Sequence, residues 1–257
     1  MAAYPQSGYH ITHMSSPRGD ALKFYGVPSE TAHILHVEKE RRSIRFQAGA
    51  RSRETEKQVG EIMQKTIIFI DCGDTIVDER TQVYAGEPEN SPVLRADFIP
   101  GADEMIRSLY ESGHDIVLVA DGLVASFENI LRENGLYPFF KAKIYSEAIG
   151  AGKPSGRMFC AAMGALELTE ADKRRIIMVG NNLRRDIKGA NAAGITSVFL
   201  DWTTRYPKQP RDESEVPDYT ISWPLELLPL VEELDRKLAL EEKSGDLPLP
   251  SNAAAVH

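Results

Sequence analysis

Thr66-Ile67-Ile68-Phe69-Ile70-Asp71-Cys72-Gly73-Asp74-Thr75-Ile76 is the stretch that decides the fold. β-favouring apolar residues run without interruption into an acidic, glycine-containing turn. Such a run predicts a strand buried on both faces, as in a parallel sheet. A carboxylate at the C-terminal end of that strand stands where open α/β sheets bind ligands. Taken alone, Asp71 reads first as the cap of the turn leaving the strand. The chain downstream changes that reading.

From Thr66 onward, strand and helix patterns alternate, the signature of a doubly wound parallel α/β sheet. Further strands are expected at 115–120, 142–145, 176–179 and 197–200, with an edge strand at 219–222. Helical periodicity covers about 101–112, 123–134, 155–166, 184–193 and 224–242, and Gly113, Gly135 and Gly194 stand where helices stop. Upstream, residues 1–62 read as a poorly ordered extension with a small hairpin over 33–46, and 48–64 as polar linker or helix. His33 and His36 have no acidic or Cys partner at metal-ligand spacing and read as strand surface residues. The α/β domain is expected over 63–242 and a disordered tail over 243–257.

Composition bounds the function. The chain has 257 residues, a formal net charge of -8 and a pI near 5.4, which favours solubility and disfavours general nucleic-acid affinity. The charge is uneven: +3 over residues 1–65 and -11 over the remainder. Cys72 and Cys160 give neither a disulfide framework nor a metal-ligand spacing. No apolar run approaches the ~18 residues a membrane span needs. No signal-peptide core is visible near the N-terminus, so a cytoplasmic protein is expected.

Polar groups gather at four strand ends, in order: Asp71-Cys72-Gly73-Asp74-Thr75, then Ala120-Asp121-Gly122, then Gly152-Lys153-Pro154, then Gly180-Asn181-Asn182-Leu183-Arg184-Arg185-Asp186. Pro154 is expected in the first turn of the helix that follows it. With these four motifs the chain resembles the haloacid dehalogenase-like (HAD) superfamily of hydrolases over residues 66 to about 240. Ile99-Pro100-Gly101-Ala102, Asn134-Gly135-Leu136 and Gly189-Ala190 with Ala193-Gly194-Ile195 extend the likeness between them.

The resemblance implies phosphoryl transfer to an aspartate nucleophile, with Mg²⁺ screening charge and a phosphorylated substrate. By position, Asp71 would be nucleophile and metal ligand, and Lys153 would neutralise both the nucleophile and the transferring group. Two anions meeting at reduced dielectric need that cation. Asp186 would support the metal shell or Lys153. The backbone amides of Asp121 and Gly122 would cradle the phosphate, and the Gly73 carbonyl and the Asn181 amide oxygen would complete the metal ligands.

Three positions depart from the family pattern. Gly73 stands where the family's phosphatases carry the Asp that protonates the leaving group, assistance worth ~10²–10⁴ in rate. Asp74, one residue on, reads as a stabiliser of the turn. Ala120 replaces a hydroxyl that bonds the phosphate, and Asn181 replaces an acidic metal ligand, keeping oxygen but losing charge. Gly73→Asp is therefore expected to raise turnover of substrates with poor leaving groups.

Only about 25 residues separate Thr75 from the helix opening near Gly101, and 84–92 reads as loop. No helical cap domain fits there or between Gly122 and Lys153, so an essentially capless, open site is expected, suited to a large substrate. That also disfavours the small-molecule dehalogenase reading, whose branch uses a cap. Two functions remain open: a magnesium-dependent phosphatase-type hydrolase resting on Asp71, Lys153 and Asp186, and a non-catalytic binding or scaffold protein of the same fold resting on Gly73, Ala120 and Asn181. Trp202, Arg205 and Tyr206 follow the fifth strand near the rim, where they could contact substrate, and an ordinary loop is their simpler reading.

Overall fold

A computed structural model of the chain describes residues 64–244. The expected N-terminal extension and its hairpin, and the tail beyond Ser244, lie outside the described residues. In chain order the strands are β1 (Ile67–Ile70), a short ribbon of β2 (Val83–Tyr84) and β3 (Val93–Arg95), then β4 (Ile116–Ala120), β5 (Ala142–Tyr145), β6 (Ile176–Gly180), β7 (Thr196–Leu200) and β8 (Tyr219–Ile221). Six of them form one parallel sheet in the order β5-β4-β1-β6-β7-β8. The chain winds from β1 outward through β4 and β5, then restarts at β6 and winds the other way. The boundary between β1 and β6 is the switch point where sheets of this kind open a ligand crevice at their C-terminal edge.

Six helices cover the sheet: α1 (Ala102–Glu111), α2 (Val124–Glu133), α3 (Ser146–Ile149), α4 (Gly156–Ala165), α5 (Lys188–Ala193) and α6 (Leu227–Ser244). The two-residue alternation of β1 divides the core. Ile68 and Ile70 pack with Met105 and Leu109 of α1, Phe127 of α2 and Leu227 of α6, whereas Ile67 and Phe69 pack with Met158 and Phe159 of α4 and Ala190 of α5. All four β1 side chains are buried, each worth roughly 1.5–3 kcal/mol relative to exposure. At the edge remote from the crevice, Asp235 of α6 accepts from Thr66 N at 2.8 Å and Oγ1 at 2.7 Å, and faces His114 Nε2 at 2.9 Å. Burial would raise the Asp235 carboxyl, but the bonds from His114 and Thr66 outweigh it and hold the pKa below the ordinary value. This clamp ties the last helix to the start of β1.

Three local expectations are corrected. The segment read as loop at 84–92 is flanked by the antiparallel β2–β3 ribbon, so a small insert is present between β1 and α1. Its stem is closed by Asp78 N to Asp97 O at 2.9 Å and Ile99 N to Ile76 O at 3.0 Å. Ser126 Oγ accepts from Val93 N and Asn129 Nδ2 donates to Val93 O, both at 3.0 Å, which seats the ribbon on α2. The helix expected over 184–193 opens as a wide turn at Leu183–Ile187, and α5 proper begins at Lys188. Pro154 precedes α4 instead of lying in its first turn, and Ser155 is the N-cap residue. Among the described residues no helix is long and apolar enough to cross a membrane.

Candidate active site

Asp71 continues β1 into the crevice: its N–H donates to Val179 O of β6 at 3.0 Å. The side chain is about nine-tenths buried, and Oδ1 accepts from Lys153 Nζ at 2.7 Å. Lys153 Nζ also donates to Val119 O at 2.7 Å and makes an ion pair with Asp186 Oδ1 at 2.8 Å. One ammonium, with three protons, therefore faces three close acceptors from three strand ends. Burial alone would pull the Lys153 pKa down; Asp186 and then Asp71 outweigh it, so the group is held charged. Burial pushes the Asp186 carboxyl up, opposed by Lys153.

The loop after β6 is built around Asp186. Its Oδ2 accepts from Asn182 N at 2.9 Å, and Asn182 Oδ1 in turn accepts from Arg184 N and Arg185 N. Asp186 comes so close to the end of β6 that a Cβ at Gly180 would lie 2.3 Å from its Cγ. Only glycine fits there. Asp186 Oδ1 pairs ionically with Lys153 at 2.8 Å but has no hydrogen-bond partner, so its geometry is compatible with either expected role, beside Lys153 or in a metal shell.

Asn181 is buried, and neither its amide oxygen nor its amide nitrogen has a hydrogen-bond partner. Thr75 Oγ1, Asp121 Oδ2 and Arg185 Nε are likewise buried without hydrogen bonds, and all follow the C-terminal ends of β1, β4 or β6. Buried polar atoms left unpaired cost about 1–3 kcal/mol each, and such groups call for a ligand, ion or water. Among the described residues no group of three or more His, Cys, Asp or Glu side chains is placed to hold a metal. The oxygens expected to meet a hard cation are those of Asp71, the Gly73 carbonyl and Asn181, of which the Asn181 amide is buried and unpaired. That set fits magnesium in donor type while supplying little charge.

Asp121 Oδ1 accepts from Lys153 N at 2.9 Å, which sets the backbone of the Gly-Lys-Pro turn. Of the two amides expected to cradle an anion, that of Gly122 already donates to Ser146 Oγ at 2.8 Å. Cys72 is fully buried, and burial, followed by Asp71, pushes its thiol far up; it is no nucleophile.

The turn after Asp71 differs from expectation at Gly73. A Cβ there would lie 2.0 Å from Glu79 Oε1 and 2.8 Å from Glu79 Cδ. The space of the missing acid is filled by another carboxylate, reaching back from the first turn of the insert. Arg205 Nη1 pairs with Glu79 Oε2 at 3.2 Å and its Nε with Asp74 Oδ2, while Trp202 Nε1 donates to Asp74 O. Asp74 adopts φ 50°, a conformation Asp tolerates better than most residues, and its Oδ1 accepts from Glu79 N at 3.0 Å. It stabilises the turn, as its position suggested. Burial and neighbouring Asp74 raise the Glu79 pKa, opposed by Arg205. The benefit expected of Gly73→Asp therefore carries a condition: the end of the Glu79 side chain must give up its place beside Arg205 to admit the new carboxylate. That variant alone should lose about 1–3 kcal/mol by overpacking, read as a fall in the urea midpoint, and combining it with Glu79→Gly should restore the midpoint. A midpoint unchanged in the single variant would show that Glu79 swings away freely.

A sequence profile of the haloacid dehalogenase-like hydrolases matches residues 29–194. The chain belongs to the haloacid dehalogenase-like hydrolase family. Among curated relatives of this HAD chain, glyceraldehyde 3-phosphate phosphatase of Methanopyrus kandleri is 34% identical over 136 residues, 52% of this chain and 57% of that one. Pyrimidine 5'-nucleotidase PynA of Streptococcus pneumoniae is 30% identical over 103 residues, 40% and 43% of the two chains. The HAD chain spans about half the length of the curated relatives it matches. A solved structure of Bacillus subtilis YfnB bound to magnesium shares the fold, with a TM-score of 0.52 at 18% identity, covering 65% of this chain and 99% of that one.

Within this HAD core the structure brings together Asp71, Lys153, Asp186 and Asp121, which the strand-end order had grouped. Glu79 and Arg185 were not singled out as site residues, whereas Trp202 and Arg205 were expected near the rim, as an ordinary loop, and in the structure they strap the turn after Asp71. Arg185 lies inside the fourth motif, so its charge was visible there; Arg205 was marked only by its place after the fifth strand, and nothing in the spacing of Glu79 marks it.

Proposed function

We propose that this chain is a magnesium-dependent phosphatase-type hydrolase that transfers a phosphoryl group to Asp71, and that it works best on small phosphorylated molecules with good leaving groups. The observation that carries this reading is the Asp71 carboxylate held 2.7 Å from the buried Lys153 ammonium at the switch point of the sheet. Lys153 fixes the orientation of Asp71, leaving its other oxygen to attack phosphorus in line with the departing oxygen. The new O–P bond forms as the bond to the leaving group breaks, and the leaving group takes the electron pair. Water then attacks the phospho-aspartate at phosphorus, releasing phosphate and regenerating Asp71.

Asp71, the Gly73 carbonyl and Asn181 would hold the magnesium, which when bound supplies charge neutralisation for an incoming phosphate. Of the two amides expected to cradle the phosphate, that of Asp121 would border it, since the Gly122 amide is bonded to Ser146. Phosphatase and nucleotidase names among the relatives support phosphorylated small molecules as substrates. We read the β2–β3 ribbon as a minimal insert in place of a cap, which leaves the crevice open. With no side chain at Gly73, alkyl phosphates should turn over ~10²–10⁴ more slowly than acyl or aryl phosphates. Acetyl phosphate, p-nitrophenyl phosphate and glycerol phosphate assayed with Mg²⁺ and with EDTA test this. The expected order is acyl and aryl far above alkyl, with release lost in EDTA. No metal-dependent release from any of the three would overturn the reading and favour a non-catalytic binding protein, for which Gly73, Ala120 and Asn181 speak.

A further inference from the structure

We infer that Arg185 is the side chain that binds the substrate's phosphoryl group beside Asp71, in place of the hydroxyl missing at Ala120. This rests on the phosphatase reading above and names the group that recognises its substrate. Lys153, the cation expected to serve that purpose, already donates to Asp71 and Val119 O and pairs with Asp186. The Gly122 amide is occupied by Ser146, and Ala120 has no donor. An anion arriving at Asp71 therefore needs a cation that is still uncommitted.

Arg185 meets that need. Its Nε is buried and has no hydrogen-bond partner. Its Nη1 lies 3.7 Å from Asp121 Oδ2, beyond hydrogen-bond length, and that carboxylate oxygen is itself without a hydrogen bond. Nη2 donates to Tyr206 OH at 3.3 Å, and the guanidinium carbon stands 5.2 Å from the centre of the Tyr206 ring. The group is thus steered by the loop after β7 without being spent on it. Burial would lower its pKa, but Asp71, Asp186 and Tyr206 outweigh this, in that order, so the guanidinium stays charged. A planar fork with free N–H groups suits a tetrahedral oxyanion better than an ammonium does. The weak pairing with Asp121 gives the resting site a counter-charge that an arriving phosphate can replace.

Calorimetric titration of inorganic phosphate into the full chain with Mg²⁺ tests the assignment directly, without turnover. Arg185→Gln should weaken phosphate binding by roughly 10- to 100-fold, as expected for a charge-assisted bond. Arg185→Lys, which keeps the charge but not the fork, should fall between, and it stands in for the first variant if that one does not fold. Tyr206→Phe should weaken binding only a few-fold by loosening the guanidinium. Wild-type affinity in both Arg185 variants, or no phosphate binding by the wild-type chain, would overturn the inference. Acetyl phosphate turnover measured in parallel separates the two claims. Arg185-dependent binding without turnover would sink the phosphatase reading alone, and turnover with Arg185-independent binding would sink this assignment alone.

Discussion

Asp71→Asn is expected to cut metal-dependent release of phosphate from acetyl phosphate by on the order of 10³-fold or more, the scale on which removal of a nucleophile acts. The substitution is nearly isosteric. It replaces the attacking oxygen by an amide that cannot form a phospho-enzyme, and it removes one of the two carboxylates beside Lys153. Asp186 remains 2.8 Å from the ammonium, so the ion pair that holds the turn survives. Loss of rate should therefore come with a folded protein, checked by circular dichroism and by the urea midpoint. Mass spectrometry after mixing with acetyl phosphate should show a phosphoryl adduct in the wild-type chain and none in the variant. Equal rates in the two chains would dispose of Asp71 as nucleophile, and with it the chemistry proposed for this fold.

Lys153→Met should act on stability and rate together. The ammonium is almost fully buried among Asp71, Asp186 and Val119 O, and methionine matches its volume but none of its bonds. Two carboxylates are then left buried without their cation, a loss of about 3–5 kcal/mol for a broken buried pair. Lys153→Arg should rescue little, because a planar fork cannot meet three acceptors converging on one nitrogen. Turnover should fall at least ~10²-fold, since Asp71 is no longer oriented and the negative charge of the crevice is no longer balanced. Urea titration and acetyl phosphate assays on the same samples read both effects. A Met variant as stable as wild type would mean that Asp71 and Asp186 take up protons or find other partners at little cost.

The fold was legible because its strands announce themselves. β1, β4 and β6 are unbroken apolar runs, and each ends in a polar turn. The β2–β3 ribbon was missed for the opposite reason: two- and three-residue strands carry no period, and the pairing is held by side chains of α2. In the site, Asp71, Lys153 and Asp186 could be grouped because strand ends in a parallel sheet share one edge. Glu79 and Arg205 could not, since they meet only through the packing of two loops far apart in the chain. Gly73 shows the difference most sharply. From the sequence it is an acid that has been lost; in the structure it is a space that the end of the Glu79 side chain occupies.

The strap over the turn after Asp71 also makes the molecule its own optical probe. The chain has two tryptophans, and Trp202 donates its indole N–H to the carbonyl of Asp74, three residues beyond Asp71. Trp223 is about half exposed and sits at the entry to the last helix, well along the chain from that turn. Substituting Trp223 by Phe leaves a single tryptophan, hydrogen-bonded to the turn after Asp71. Its intrinsic fluorescence then follows any movement of that turn as ligand arrives or leaves, with no label added to the protein.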